Sequence, residues 1–192
     1  ADTIIPHLRD RLPLDGPVIR ARTLRTANIA ESALADKLGE LARGVNGLSL
    51  AYLPGHDGVD LRLTSYRLPA RETEATLTEA ARLVREKVGR FIYGEGDDDL
   101  AALMLAECAA RDLTLAVAES CTGGMLGMRL TAVPGSSRTV HGGTIAYANA
   151  VKVRELDVSQ SDLDAHGAVS EPVARAMATG ARRRFGTNIG IG

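Results

Sequence analysis

The sequence has little of what would mark a secreted, membrane-embedded or nucleic-acid-binding protein. Its two cysteines, Cys108 and Cys121, are too few in 192 residues for a disulfide framework, which indicates reduced thiols. No apolar run approaches the roughly 20 residues of a membrane span, and no basic-then-apolar leader opens the chain. The 23 basic and 24 acidic residues nearly cancel, so no general attraction to nucleic acid or anionic membrane is expected. We therefore expect a cytoplasmic globular protein.

Lysine is scarce as well. Twenty of the 23 basic residues are arginine, and the lysines are Lys37, Lys87 and Lys152. Arginine cannot release its proton near neutral pH, whereas a buried lysine can act as a neutral base. Lys152 is the one lysine in the second half of the chain, which marks it as a candidate base. An ordinary surface lysine is an equally good interpretation on composition alone.

Glycine and acidic residues mark the clearest boundary in the chain, at residues 94–99. Glycines release the backbone there, and the acidic run is well placed to cap a helix over residues 100–110. With 45% apolar residues, the chain can build one core or two. We therefore divide it into residues 1–94, a small module with a preceding linker, and residues 95–192.

The first part alternates short strand and helix patterns. Asn28, with Glu31 three residues later, has the form of a capping box. Residues 55–58 have the GxxG form of an RNA-binding loop, but they join two strands, which favours a plain hairpin turn. The predicted elements are a strand over 18–24, a helix over 28–41, strands over 48–53 and 59–68, and a helix over 72–88.

The second part changes to a regular alternation of helix and strand. This pattern is typical of a layered α/β domain with a mostly parallel sheet. The predicted elements are a helix over 100–110, a strand over 113–118, a helix from 122, a strand over 143–147, a helix near 150, a helix over 171–184 and a strand over 187–191. Because the last strand pattern stops at Gly192, we expect a sheet truncated at its C-terminal end, and hence a fragment.

The most informative stretch is Glu-Ser-Cys-Thr-Gly-Gly at residues 119–124, directly after an apolar strand pattern. The pattern predicts strand, tight turn and helix, which brings the Ser120 hydroxyl, the Cys121 thiol and several backbone N–H groups together. Helix N-termini favour negative charge, so this turn can hold a phosphate or the oxyanion of an acyl transfer. A plain connection with Ser120 as a capping residue is the structural alternative.

Two further side chains are predicted at the same edge of the parallel sheet. Tyr147 and Lys152 follow the strand pattern at 143–147, and ligands of open α/β sheets bind at the carboxyl ends of the strands. Serine is a poor nucleophile until a base takes its proton, and Ser-Lys pairing is an established solution. Lys152 can serve only as a neutral amine, while Tyr147 can relay the proton or orient the amine. A core or rim role for Tyr147 and a turn role for Asn149 are the alternatives.

Other polar segments carry weaker signals. Residues 134–138, Pro-Gly-Ser-Ser-Arg, offer hydroxyls, amides and a guanidinium suited to phosphate. Residues 167–172 form a turn that Ser170 explains as an N-cap, with Pro172 in the first helical turn. His141 and His166 have no partners at metal-ligand spacing, so we assign them structural or surface roles and expect no metal site.

Taken together, these motifs closely resemble the CinA family, in order and over nearly the whole chain. The second part resembles its C-terminal nicotinamide-nucleotide amidase domain, and the first part resembles its small middle domain, a KH-type α/β module. The residues that carry the resemblance are 118–124, 134–137, Gly143, 147–149, Lys152, 167–170 and 177–181 in the second part, and 22–26, 29–32 and 50–54 in the first. The fold it implies is a KH-type module followed by a layered α/β/α amidase domain.

The resemblance implies an amidohydrolase that converts nicotinamide mononucleotide to nicotinic acid mononucleotide and ammonia, without metal or other cofactor. It implies Ser120 as nucleophile, Lys152 as proton acceptor and Tyr147 as the third catalytic group. Amides of residues 121–123 are expected to hold the oxyanion, and the loop 135–137 to hold the substrate phosphate. The substrate-binding residues it implies are Cys121, Thr122, Gly123, Gly124, Gly135, Ser136 and Asn149.

Other functions stay open on the sequence. Full-length members of the resembled family begin with a molybdopterin-binding-like domain that has its own nucleotide-hydrolysing activity, and their amidase domain continues past the position of Gly192. The alternatives are therefore an inactive fragment, or a nucleotide- or phosphate-binding module whose KH-like half recruits nucleic acid or a partner. An α/β domain with an exposed sheet edge is also expected to form a homodimer.

Overall fold

The computed structural model describes residues 19–55 and 57–192. The linker predicted before the first strand, residue 18 of that strand and His56 of the GxxG segment lie outside the described residues. Two compact units divide the chain into Ala1–Asp98 and Asp99–Gly192. Each unit has its own apolar core. No helix within the described residues is both long and apolar enough to cross a membrane.

The first unit is a four-stranded antiparallel sheet with two helices on one face. The strand order is β2-β3-β1-β4, and β2 and β3 form the predicted hairpin. The elements are β1 (Arg20–Thr26), α1 (Glu31–Leu38), β2 (Ser49–Pro54), β3 (Val59–Ser65), α2 (Ala70–Val88) and β4 (Ile92–Glu95), with short 3₁₀ turns at Gly39–Arg43 and Gly89–Phe91.

The core of the first unit lies between the sheet and the helices. Leu24 of β1 and Leu61 of β3 alternate inward with strand periodicity and pack with Leu77 and Val84 of α2. The predicted apolar face of α2 is buried along its length. The predicted capping box is not formed. Asn28 has a left-handed backbone with φ 58°, and Ala30 is the N-cap residue of α1, which begins at Glu31. The helical pattern continues past α1 only as a 3₁₀ turn.

The second unit is a parallel sheet of order β6-β5-β7 covered on both faces. Its elements are α3 (Leu100–Ala110), β5 (Leu115–Glu119), α4 (Met125–Thr131), β6 (Val140–Ile145), α5 (Asn149–Leu156), α6 (Gln160–His166), α7 (Glu171–Phe185) and β7 (Ile189–Ile191), with a 3₁₀ turn at Ser136–Arg138. The mixed α/β fold with one parallel sheet confirms the predicted fold class. The prediction lacked α6, which is short and carries few apolar residues.

Alternation along the central strand separates the two faces. Val117 of β5 packs with α3 and α4, whereas Ala116 and Ala118 pack with α5, α6 and α7. Asp99 caps α3 as predicted, because its carboxylate accepts a hydrogen bond from the amide of Ala102 at 2.9 Å. The unit is therefore a three-layer α/β/α sandwich, and the carboxyl ends of its strands meet at one edge.

Close packing of α7 depends on one glycine. A Cβ on Gly180 would lie 2.0 Å from the carbonyl oxygen of Leu156, so no larger residue fits without moving backbone. This contact holds α7 against the end of α5, the helix that carries Lys152. The position of Lys152 is thus fixed by backbone packing as well as by its own contacts.

Candidate functional site

Ser120 is the first residue after the central strand β5, at the carboxyl edge of the sheet. The chain turns immediately, and the amide of Gly123 donates to the carbonyl oxygen of Ser120 at 3.0 Å. Gly123 and Gly124 have φ values of 59° and 104°, a region that glycine adopts without strain. A Cβ on Gly124 would also lie 2.9 Å from Cδ1 of Ile145. The Gly-Gly pair is therefore what allows the Ser120 turn to form.

Glu119, the last residue of β5, shapes this turn, although the sequence analysis assigned it no role. Its side chain is only 4% exposed and points to the α4 side of the sheet. Its carboxylate accepts hydrogen bonds from the amides of Gly124 (3.1 Å), Leu126 (3.0 Å) and Gly127 (2.7 Å). Burial raises the pKa of Glu119, but these amides and the Thr122 hydroxyl outweigh burial and lower its pKa below the usual glutamate range.

The Glu119 carboxylate occupies backbone amides that were predicted to bind a substrate anion. Gly124 donates its amide to Glu119, and Gly123 donates its amide within the turn, so neither amide faces a substrate. The first three amides of the seven-residue helix α4 are occupied as well, because Met125 donates to the carbonyl oxygen of Thr122 at 3.0 Å while Leu126 and Gly127 donate to Glu119. Among the described residues, no acceptor pairs with the amides of Cys121 and Thr122. The predicted oxyanion donors therefore narrow to these two.

Lys152 is buried beneath the same edge, with only 1% of its surface exposed. It lies in the first turn and a half of α5, and its Nζ donates to the carbonyl oxygens of Ala146 (2.8 Å) and Tyr147 (3.0 Å). Those carbonyls follow the end of β6 and would otherwise have no partner in the sheet. Two hydrogen bonds leave one tetrahedral position on the amine, which carries a lone pair in the neutral form. The buried lysine is therefore oriented by backbone.

The structure brings Ser120 and Lys152 to one edge through neighbouring strands. Glu119 pairs in register with Ile145, and the amide of Ala146 donates to the carbonyl oxygen of Glu119 at 2.7 Å. Ser120 directly follows Glu119, the acceptor of this hydrogen bond. Ala146, the donor, accepts a hydrogen bond from Lys152 through its own carbonyl oxygen. Within the described residues no hydrogen bond joins Ser120 Oγ to Lys152 Nζ directly. The two groups are neighbours through backbone rather than in contact.

Tyr147 and Asn149 lie at the same edge with less defined roles. The Tyr147 side chain is 76% exposed, and only its carbonyl oxygen contacts Lys152. Asn149 is the exposed first residue of α5, where Ala148 occupies the capping position. In the described part of the chain, neither side chain forms a hydrogen bond. Tyr147 therefore contacts the amine through its backbone carbonyl, and its exposed phenol forms no hydrogen bond with Ser120 or Lys152.

A cavity of about 480 Å³ opens beside the Ser120 turn. One wall is the end of β5 and its turn, and the other is the loop before α7 together with the first turns of that helix. Its lining residues are Ala118, Glu119, Ser120, Cys121, Thr122, Leu126, Ala168, Val169, Ser170, Glu171, Ala174, Met177 and Gly192. The walls are mostly apolar, with the serine, the thiol and the free amides along one side. This is the arrangement of a small-molecule site.

The loop that was predicted to bind phosphate lies at the opposite edge of the sheet. Gly135 and Ser136 follow α4 and precede β6, whose first residue, Val140, pairs with Leu115 at the start of β5. The length of β5 alone separates the two edges by roughly 13 Å. Gly135 and Ser136 therefore do not meet Ser120 within one chain, because a loop from helix to strand returns to the amino edge.

The remaining polar candidates have structural roles. Ser170 is the N-cap residue of α7 and Pro172 lies in the first helical turn, as predicted, but the Ser170 hydroxyl donates to the carbonyl oxygen of Gly167 at 2.9 Å and forms no capping hydrogen bond. His141 and His166 are exposed. In residues 19–55 and 57–192, no cluster of three or more histidine, cysteine or acidic side chains could hold a metal ion. Cys121 is an exposed thiol, whereas Cys108 is in the core.

Comparison with known proteins matches both units to one family. The family model described as CinA C-terminal domain matches residues 97–192, and the model described as damage-inducible protein CinA KH domain matches residues 21–94. A solved structure described as competence/damage inducible protein CihA, from Agrobacterium tumefaciens, is 38% identical with a TM-score of 0.45, covering 46% of this chain and 54% of that one.

Two longer relatives match nearly the whole sequence. A CinA-like protein of Gemmatimonas aurantiaca is 80% identical over 192 residues, which is 100% of this chain and 45% of that protein. A CinA-like protein of Synechococcus sp. (strain CC9902) is 45% identical over 190 residues, which is 99% of this chain and 45% of that protein. The chain thus spans less than half the length of these relatives. It belongs to the CinA family.

Proposed function

We propose that the second unit is a serine amidohydrolase that deamidates nicotinamide mononucleotide to nicotinic acid mononucleotide and ammonia, in pyridine nucleotide recycling. The observation that carries the proposal is the buried Lys152, which donates to the carbonyl oxygens of Ala146 and Tyr147 at the end of the strand next to the Ser120 turn. The Ser120 turn itself lines an apolar cavity. Membership of the CinA family supports the choice of substrate, through the resemblance of these motifs to the amidase domain.

The chemistry needs only groups of this chain and water. Ser120 Oγ attacks the carboxamide carbon as its proton passes to the neutral Lys152 amine, directly or through one water. The amides of Cys121 and Thr122 hold the oxyanion. The protonated amine then gives its proton to the leaving nitrogen, the C–N bond breaks and ammonia departs. Water repeats the sequence on the ester carbon, which releases the acid and restores both side chains.

Two further points belong to the proposal. A cytoplasmic location suits the two free thiols, since reducing compartments keep cysteines unpaired. A homodimer suits the three-stranded sheet, because β6 has one edge that no described strand covers. A second copy of the chain that pairs along this edge would satisfy those backbone groups.

The first test is product identification with the purified chain. Incubation with nicotinamide mononucleotide and no added metal should release ammonia and nicotinic acid mononucleotide in equal amounts. A second candidate function is nucleotide binding without catalysis, which is favoured by one observation: the carbonyls of Ala146 and Tyr147 explain the burial of Lys152 without any reaction. Saturable binding of the mononucleotide with no ammonia, in this chain and in a full-length relative alike, would favour binding alone and exclude the amidase.

A further inference from the structure

Glu119 is a buried charged side chain that the proposed reaction leaves without a task. A carboxylate that is removed from water is costly unless hydrogen bonds replace the lost hydration. Here the hydrogen bonds that replace water come from backbone amides of the segment that follows Ser120. The buried charge and the nucleophile thus share one turn.

The carboxylate closes this turn into a ring. Three amides, at positions 124, 126 and 127, are held to position 119, so the chain between them must double back over Glu119. The Gly123 amide closes a smaller loop on Ser120. Since Gly127 approaches so closely that a Cβ would lie 3.3 Å from Oε1 of Glu119, the ring has little freedom to shift.

The main chain of the same residue reaches the lysine. The carbonyl oxygen of Glu119 accepts from the amide of Ala146 at 2.7 Å, and the carbonyl oxygen of Ala146 accepts from Lys152 Nζ at 2.8 Å. The side chain of Glu119 therefore holds the Ser120 turn. Its backbone carbonyl holds Ala146, whose own carbonyl oxygen orients the Lys152 amine.

We propose that Glu119 is a positioning residue: its carboxylate holds the Ser120 turn so that the amides of Cys121 and Thr122 point at the reacting carbonyl as oxyanion donors. The proposal rests on the proposed amidase function. Donors fixed in advance are worth far more to catalysis than donors that must be ordered during the reaction. Glu119 touches no reacting atom and acts only through the turn.

The substitution Glu119→Gln tests this with little change of shape. Its carboxamide oxygen can still accept from the turn, but its NH₂ group would face the amide of Gly127, donor against donor. We expect kcat to fall by roughly 10–100-fold, since one misplaced oxyanion donor costs about 10²–10³, with KM within about threefold. Glu107→Gln, at an exposed glutamate of α3, is the matched control and should retain wild-type kinetics. A kcat for Glu119→Gln within threefold of wild type, with both proteins folded, would overturn the proposal.

A second readout does not depend on the substrate. A phosphonofluoridate reagent phosphonylates an activated serine whatever its natural substrate: the serine oxygen attacks phosphorus, fluoride leaves, and the phosphoryl oxygen uses the same oxyanion donors. Its rate of labelling Ser120 should fall at least tenfold in Glu119→Gln and stay unchanged in Glu107→Gln. Equal labelling rates contradict the positioning role. If wild type reacts with the reagent but releases no ammonia from the mononucleotide, the substrate is wrong while the positioning role still stands.

Glu119→Asp separates the loss of positioning from a loss of folding. Glu119→Asp keeps the charge but is one methylene shorter. Its carboxylate therefore cannot reach the amides of Gly124, Leu126 and Gly127 together. It should fold and show a kcat between those of wild type and Glu119→Gln. If Glu119→Gln does not fold, Glu119→Asp decides: a kcat equal to wild type refutes the positioning role, and a fall of at least threefold with KM unchanged supports it.

Discussion

The two units of the chain bury different kinds of polar group. In the first unit the buried polar side chains are Thr26, Thr64, Ser65 and Thr73, all uncharged, whereas in the second they are Glu119, Thr139, Lys152 and Thr187. Among the described residues, both buried ionisable side chains, Glu119 and Lys152, thus belong to one unit, and both lie at the carboxyl edge of its sheet. Folding gains little from burying such a group, because desolvation offsets most of what its hydrogen bonds return. The difference agrees with the proposal that the second unit carries the amidase site.

The first unit shows how polar burial looks when it serves the fold alone. The Thr26 hydroxyl donates to the carbonyl oxygen of Val59 at 2.6 Å, next to Gly58, where a Cβ would lie 2.2 Å from the Thr26 carbonyl oxygen. Among the partly exposed side chains of this unit, Arg25 pairs with Asp60 at 3.2 Å and donates to the Tyr93 hydroxyl at 3.3 Å. These charges remain in contact with solvent, so they carry little energetic cost. No described lysine or acid is buried there.

The strongest way to break the comparison is to remove the buried amine. Lys152→Met has nearly the same volume but no proton acceptor, so kcat should fall by roughly 10²–10⁴-fold, the usual contribution of a general base. Stability should fall as well, because the carbonyl oxygens of Ala146 and Tyr147 lose their donor, at about 1–3 kcal/mol for each carbonyl left unpaired. The measurement is steady-state ammonia release, paired with thermal unfolding. Lys87→Met, at an exposed lysine of α2, is the control; equal activity of the two variants would show that Lys152 is structural.

Core truncation in the first unit should act on stability and leave the chemistry alone. Leu24→Ala removes a side chain with 0% exposure and should lower the free energy of unfolding of that unit by about 2–5 kcal/mol. Leu53→Ala, at a leucine that is 38% exposed, should cost far less. Hydrogen exchange resolved by peptide measures the loss in each unit separately. A fall in protection confined to the second unit after Leu24→Ala would contradict the two-core description.

The buried anion predicts an acid-side loss of stability in the second unit. Glu119 has a lowered pKa in the fold, so its contribution is complete above the unfolded-state pKa of about 4.3. That contribution is lost as pH falls through the lower folded value. Between roughly pH 5 and pH 3, the protection of amides around residues 119–127, measured as peptide-resolved exchange relative to the unstructured rate at each pH, should therefore fall more in wild type than in Glu119→Gln. Parallel pH dependence in the two proteins would show that the carboxylate is not held as described.

The smallest expected effect concerns charges that stay in solvent. Arg82 of α2 pairs with Glu79 at 2.6 Å and also with Glu86, and all three side chains are half exposed. Exposed pairs contribute about 0–1 kcal/mol, so Arg82→Ala should change the free energy of unfolding by less than about 1 kcal/mol. Urea unfolding at low and high salt measures this. A loss as large as that of Leu24→Ala would undermine the distinction between exposed and buried charge.

Much of the fold could be predicted because strong local patterns agreed with the packing. The boundaries of α3 were predicted to the residue, because Asp99 is both an acidic capping residue and the end of the acidic run. The apolar face of α2 was predicted from its helical period. The helix α6 was missed because its seven residues bury one apolar side chain, Leu163, which gives no period to detect.

The site was predictable only in part, and the reasons are topological. Ser120 and Lys152 follow strand patterns, and parallel strands bring their carboxyl ends to one edge. The same rule places residues 135–137 at the other edge, since they lie between a helix and the strand that follows it. Glu119 was overlooked because its partners are backbone amides, which leave no mark in the sequence. The signal available was an acidic residue that ends an otherwise apolar strand.

The substitution Ser120→Ala tests the central claim most directly. It removes one oxygen at the carboxyl edge and leaves Glu119, the turn and Lys152 in place. The account predicts that ammonia release from nicotinamide mononucleotide falls by at least about 10³-fold, with thermal stability unchanged. Ser161→Ala, at an exposed serine of α6, should retain wild-type turnover. Turnover by Ser120→Ala within a few-fold of wild type would contradict the account.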